Sequence, residues 1–349
     1  MNGLYPYLMA LFLSAGIVYA VHPFLVRLAF KRGIVDNPNA RKLNRVPVPV
    51  LGGVGVFLGL ILALYAVIVT TQVDFPHCYM LPLLLMLVMG GMDDVYDLRP
   101  RTKFVVQILA VLLLFFLCNL RINSLHGLFG IYEIPISVSL PLTLVSCVGL
   151  INAMNLIDGI DGLSSGYSIV ASGLFAILAF VQDDSVNLLI SSSLIGALIP
   201  FFVYNVFGRR NKMFIGDAGS HLLGMLFCIM ALHAMSVPLL DKRVEGAVVP
   251  FLVAVFSLPI MDTLRVMTMR ICRGNSPFRA DKTHLHHALI GRGLTHLTTT
   301  LSIIGVDLIV VAAWLVCYKC GLAATDQILV VLVMSLLCVV LPYPILKRK

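Results

Sequence analysis

The chain has 349 residues, of which 59% are hydrophobic and only 12% charged, and its mean hydropathy is +0.98. Soluble domains carry about twice that share of charge, so a water-soluble globular fold is excluded and an integral membrane protein is expected. The net charge of +8 does not point to nucleic acid, because the side of the membrane on which Lys and Arg gather, and the anionic lipid headgroups there, account for it.

Taken in chain order, uncharged stretches long enough to cross a bilayer core fall near 5–26, 50–70, 79–92, 104–120, 136–151, 163–181, 185–207, 219–236, 247–264, 297–317 and 326–346. They predict an all-α, polytopic membrane bundle of about 11 transmembrane helices. The first stretch lacks a basic leader and a small-residue cleavage site and runs through Pro23, so a retained helix is expected in place of a signal peptide. With the N-terminus outside, all of the 25 Lys and Arg except Arg121, Lys242, Arg243 and Lys319 fall on the cytoplasmic side. An even number of spans would put the C-terminal "KRK" on the wrong side. Apart from Cys317 and Cys320, the cysteines lie singly in apolar segments and read as small hydrophobic residues.

The polar residues collect in the loops assigned to the inner face: "DNPNARKLNRVPVPVLGG", "DDVYDLRPRTK", "NAMNLIDGIDGLSSG", "NVFGRRNKMFIGDAGSH" and "RGNSPFRADKTHLHH". Together they predict one composite site in a cleft facing the cytosol. In the second loop Asp93 and Asp97 are four apart and share a helix face, with Asp94 about 100° away. Ionisable groups at membrane depth are costly and therefore candidates for function; Arg99, Arg101 and Lys103 follow them, placed to meet phosphate. Asn152, Asn155, Asp158 and Asp161 recur every third residue, so that neighbouring pairs share a face. Oxygen ligands without cysteine favour a hard cation such as Mg²⁺. Asp217 lies between glycines in "FIGDAGS", where backbone N–H groups can cradle a phosphate. His284, His286 and His287 would suit zinc by themselves, but Arg279 and Lys282 beside them suit an anion or a diphosphate. Carboxylates that hold metal, facing cations that hold phosphate, are the parts that phosphoryl transfer requires.

In this order on inner loops, "DDVYDLRPRTK", "NAMNLIDGIDGL", "FIGDAGS" and "HLHH" resemble the polyprenyl-phosphate N-acetylhexosamine-1-phosphate transferases of glycosyltransferase family 4, and most closely their WecA-like bacterial branch. The resemblance runs from "NPNARKLNRVPVPVLGG" to "HLHH" and implies a single membrane transferase domain over residues 1–349. Such an enzyme moves N-acetylhexosamine-1-phosphate, here GlcNAc-1-phosphate, from a UDP-sugar to undecaprenyl or another polyprenyl phosphate. It releases UMP and begins a cell-surface glycan. The location implied is the bacterial cytoplasmic (inner) membrane, with the active site and C-terminus in the cytoplasm. The implied partners are UDP-N-acetylhexosamine, the polyprenyl phosphate and membrane lipids, with a homodimer left open and no nucleic acid.

Carried over motif by motif, the resemblance makes Asp217 and Asn155 ligands of Mg²⁺ or Mn²⁺, with Asp158 close by as a catalytic residue. Phe214 would stack on uracil and Asp161 would help recognise the nucleoside. Lys103 would bind phosphate, and Asp93 and Asp94 would prepare the lipid phosphate. The catalytic His286 and the substrate-binding His284, His287, Arg279 and Asn205 would receive the rest of the donor. Asn44 stands where relatives often carry His, so the loop 36–53 is left out of the catalytic set. "HLHH" differs from the triple His of the branch that uses the muramyl-pentapeptide nucleotide, which disfavours that donor. Asp262 and Arg265 read as a supporting ion pair. An intramembrane aspartyl protease would need Gly where Phe214 stands and its acids at mid-membrane. A secondary transporter would need paired broken helices and polar groups at the midplane.

Overall fold

The computed structural model describes residues 3–38, 46–238, 241–277, 283–340 and 343. Arg279 and Lys282, both predicted to meet the donor, lie outside the described residues, as does Asn44. The fold is all-α, with one two-stranded antiparallel ribbon, β1 (Val35–Asp36) and β2 (Val48–Pro49), in which Val35 faces Pro49 and Asp36 faces Val48.

The chain divides into two compact units, Met1–Arg121 with Thr143–Val237, and Ile122–Leu142 with Pro238–Lys349. The first holds α1 (Tyr5–Arg32), α2 (Gly52–Thr71), α3 (Met80–Tyr96), α4 (Pro100–Phe116), most of α5 (Ile136–Leu156), α6 (Leu163–Gln182), α7 (Ser185–Phe207) and α8 (Gly216–Ser236). α8 is the central post. Every residue from Ala218 to Met230 is buried, and the helices around it approach closely because glycines face it. A Cβ on Gly53 of α2 would overlap the backbone of Gly219, one on Gly90 of α3 that of Asp217, and α8's own Gly224 meets Ile151 of α5. Apolar side chains gain nothing by leaving lipid for another helix, so such backbone contact is what draws membrane helices together. The outer helices show the reverse face: α1 buries Ala10, Ser14 and Val18 while Phe12, Tyr19 and Phe24 remain exposed as a lipid-facing surface.

The second unit holds α9 (Lys242–Val255), α10 (Ser257–Cys272), the short α11 (Leu285–Gly291), α12 (His296–Lys319) and α13 (Ala324–Ser335), which continues into a π-helical turn over Leu336–Val340. The span expected near 247–264 is broken: α9 and α10 meet at a 55° bend. A break in an apolar helix frees backbone groups that, away from water, only protein can satisfy. Asp307 of α12 does so here, accepting hydrogen bonds from the Leu258 N–H at 3.1 Å and the Ser257 hydroxyl at 2.9 Å.

Each of the eleven expected apolar stretches holds a helix, but they differ in length. Among the described residues eight helices are long and apolar enough to cross a membrane, or nine if the bent pair is one span. α4 has 17 residues and α13 with its π-helical turn runs only Ala324–Val340, whereas α3 reaches 20 residues with the 3₁₀ turn His77–Tyr79 before it, which accounts for the difference from the expected count.

Candidate active site

The polar site of the first unit is built around the start of α8. Its first-turn N–H groups need acceptors, and no side chain of its own segment caps them. Asp94 of α3 fills the gap, accepting from the N–H of Asp217 at 2.7 Å and of Ala218 at 3.0 Å. Gly216 is held at φ +72° with its α-carbon against this carboxylate, so a side chain there would be strained and would collide with Asp94. The preceding segment is laced to β2 and the start of α2. The Phe214 N–H donates to the Pro49 carbonyl at 2.8 Å, and Gly52 and Gly53 donate to the carbonyls of Phe214 and Ile215 at 3.0 and 2.8 Å. The loop set aside at the sequence level therefore shapes the site through its backbone.

Asp217 emerges from this frame with 38% of its side chain exposed, and Lys103 of α4 stands 3.9 Å from its Oδ2. The same ammonium pairs with the buried Asp93, whose other oxygen accepts from the Leu98 N–H at 2.8 Å. Asp93 thus closes the end of α3 while fixing Lys103. The expected shared face of Asp93 and Asp97 is absent, because α3 stops at Tyr96 and Asp97 takes a left-handed conformation, φ +50°, that turns it out to the surface.

The Asn/Asp row is also divided. α5 ends at Leu156, so Asn152 and Asn155 ride on the helix while Asp158 and Asp161 sit in the turn before α6. Asn152 points to α4, where its amide donates to Gln107 at 2.8 Å. Asn155 faces α8 and donates to Asp217 Oδ1 and to the Ser220 hydroxyl, both at 2.7 Å. Asp158 accepts from the Ser164 hydroxyl at 2.6 Å. Desolvation pushes its carboxyl up to about 7 against that hydrogen bond, and Asp217 and Asp161 add to the rise. Asp161 pairs with Lys212 at 2.6 Å, and the Lys212 ammonium lies 5.6 Å from the centre of the half-buried Phe214 ring. Asn205 is spent on the frame. Its amide accepts from the Gly162 N–H at 2.7 Å and donates to the Met213 carbonyl at 2.9 Å, clipping the two loops together.

Asp93, Asp94, Lys103, Asn155, Asp158, Asp161, Asn205, Phe214 and Asp217 are therefore gathered in one unit. Gln107, Ser164, Lys212 and Ser220 join them without having been singled out in the sequence. Ser220 was legible as the residue one turn after Asp217; Gln107 carries no local signal. Around Asp217 the Asp93 and Asp94 carboxyl groups outnumber the Lys103 ammonium, and the Asn155 amide, whose NH₂ faces Asp217 here, would offer its oxygen on turning over; such a donor set fits a hard divalent cation. Among the described residues no three His, Cys, Asp or Glu side chains are grouped to hold a metal, so such a cation would rest on the mixed pair Asp217 and Asn155.

The histidine segment belongs to the second unit and forms its own cluster. His284 Nδ1 lies 2.9 Å from Asp262 Oδ2, and its ring is parallel to that of His286 at 5.8 Å. His286 and His287 are 4.2 Å apart. Burial, then the neighbouring imidazoles, push His286 down to about 3, so it is neutral. Its Nε2 is buried and has no hydrogen-bond partner among the described residues.

Residues 77–235 match the family model described as glycosyl transferase family 4. The chain is 32% identical to the undecaprenyl-phosphate alpha-N-acetylglucosaminyl 1-phosphate transferase of Yersinia pestis, over 77% of this chain and 73% of the relative. It is 30% identical to the protein of the same name from Salmonella typhi, over 78% of this chain and 73% of the relative. It is also 30% identical to the probable undecaprenyl-phosphate N-acetylglucosaminyl 1-phosphate transferase of Bacillus subtilis, over 82% of this chain and 78% of the relative.

Proposed function

This chain belongs to glycosyl transferase family 4, and from that premise we propose that it transfers GlcNAc-1-phosphate from UDP-GlcNAc to undecaprenyl phosphate, with UMP as the second product. The observation that carries the reading is the single cluster around the start of α8, where Asp217, Asn155, Asp158, Asp93 and Lys103 converge beside the Phe214, Lys212 and Asp161 group.

An oxygen of the lipid phosphate attacks the phosphorus that bears the sugar. The new P–O bond forms as the bond from that phosphorus to the oxygen shared with the UMP phosphate breaks, and UMP leaves with the bonding pair. Both substrates are anions, so the task is to hold them together against their repulsion. Asp217 and Asn155 would hold Mg²⁺ or Mn²⁺, which when bound neutralises diphosphate charge. Lys103 brings a second positive charge, pre-aimed by Asp93. Asp93 prepares the lipid phosphate together with Asp94, whose oxygens also order the turn that carries Asp217. Asp158 moves a proton or steadies charge beside Asp217. Phe214 offers a face for uracil, and Asp161, fixed by Lys212, recognises the nucleoside. His286 and its neighbours His284 and His287 receive the donor's sugar or diphosphate through hydrogen bonds, with Asn205 holding the loops around the nucleoside.

The distribution of Lys and Arg supports a location in the cytoplasmic membrane with this site on the cytoplasmic side. A panel of radiolabelled UDP-sugars tests the donor. UDP-GlcNAc or a close UDP-N-acetylhexosamine is used, and the muramyl-pentapeptide nucleotide is refused; efficient use of the latter overturns the assignment of branch.

A further inference from the structure

The loop that carries the histidines has little regular structure of its own, since α11 spans only Leu285–Gly291. What fixes its start is a buried pair on α10. Asp262 Oδ1 takes the Arg265 guanidinium at 2.5 Å through Nη2 and 3.2 Å through Nε, while Oδ2 takes His284 at 2.9 Å. The N–H of Leu285 also points to this carboxylate, at 3.2 and 3.3 Å from its two oxygens. Arg265 reaches one residue further back and donates to the Thr283 carbonyl at 2.8 Å. The arginine is itself clamped, with its guanidinium carbon 3.6 Å from the centre of the Tyr343 ring. Three consecutive residues, Thr283, His284 and Leu285, are thus gripped by two side chains from one helix. The next residue is His286, the imidazole whose buried Nε2 has no partner among the described residues.

We propose that Asp262 and Arg265 are positioning residues for the histidine segment, holding Thr283 to Leu285 so that the His286 ring keeps one orientation for the donor. Any buried ion pair must satisfy its remaining lone pairs and N–H groups, and it could do so on its own helix or on several segments. Here each partner spends further hydrogen-bonding capacity on the same three-residue stretch, and the planar fork of arginine reaches carboxylate and carbonyl together. The part of this inference that concerns catalysis rests on the transferase reading; the part that concerns the segment's order does not.

Two measurements on the full-length protein in detergent separate them. Asp262→Asn is compared with Asp262→Asn/Arg265→Gln, because a lone neutralisation leaves the partner's charge buried and can unfold the chain. Hydrogen exchange across 283–290 should speed up in both variants while α12 keeps its protection. Unchanged exchange at the Leu285 amide would overturn the proposal whatever the enzyme does. In the transfer assay kcat/KM for the UDP-sugar should fall by about 10²-fold, the cost of a displaced group, with KM for the lipid phosphate unchanged. In a His286→Ala background the same Asp262 and Arg265 changes should add no further loss. Additive losses there would show that the pair acts by another route and would sink the positioning role. Faster exchange in the variants of a wild-type protein that forms no lipid-linked sugar would leave the positioning role standing and refute the transferase reading instead.

Discussion

Replacing Asp94 by Ala removes the one side-chain acceptor that the described residues offer to the first turn of α8. The N–H groups of Asp217 and Ala218, bonded at 2.7 and 3.0 Å, are then left in a site walled by Val50, Gly53 and Gly90. Loss of a helix cap costs about 1 kcal/mol on average, and leaving a buried N–H without its acceptor costs about 1–3 kcal/mol. Both bonds share one carboxylate, so a loss of about 2–4 kcal/mol is expected, and with it a fall in Tm of roughly 5 °C or more. Asp94→Asn keeps one acceptor oxygen and should lose about half as much. Unfolding followed through Trp314, the single tryptophan, gives Tm, and the same samples give the transfer rate. Asp217→Asn is the control: its side chain accepts one hydrogen bond, from Asn155, so its Tm should stay near wild type while transfer is abolished. Wild-type Tm in Asp94→Ala with transfer lost would refute the capping argument and leave Asp94 a purely chemical role.

Three further outcomes follow from the same geometry. Activity should require Mg²⁺ or Mn²⁺ and vanish in EDTA, since the donors beside Asp217 are hard oxygens; full activity in EDTA contradicts the metal assignment. Because His286 is neutral when folded, held down to about 3 against an ordinary 6.5, the unfolded chain takes up a proton that the folded chain refuses as pH falls below 6.5. Stability should therefore decline from pH 6.5 downwards, and His286→Gln should flatten that decline between pH 7 and 5; an identical slope in the variant refutes the buried, neutral state. Finally, cysteine placed at Arg209 should be labelled only from the cytoplasmic side and one at Lys242 only from outside, and the reverse pattern would move the site to the other face.

Much of the site was legible because the membrane makes polarity informative. In a chain this apolar, a loop holding Asp93, Asp94 and Lys103, or one holding Asn155 and Asp158, stands out from sequence alone, and helix existence follows from the absence of charge. What periodicity could not give was where each helix ends. Asp97 and Asp161 continue the helical spacing on paper, but Asp97 is itself the left-handed residue that closes α3 and α5 ends five residues before Asp161. The roles of Asp94, Asn205 and Asp262 were hidden for a different reason. Each carboxylate or amide satisfies backbone groups of another segment, 123 residues away for Asp94, and such partners leave no trace in local sequence. The break between α9 and α10 was masked likewise, because the residue that makes it tolerable, Asp307, lies on α12.

The most direct test of the account is transfer by the purified protein. With radiolabelled UDP-GlcNAc, undecaprenyl phosphate and Mg²⁺, the label should move into a lipid-extractable product that yields GlcNAc on mild acid, and one UMP should appear for each labelled lipid. The Asp217→Asn protein should form neither. Hydrolysis of the donor without a lipid-linked product, or UDP released in place of UMP, would contradict sugar-1-phosphate transfer by this chain.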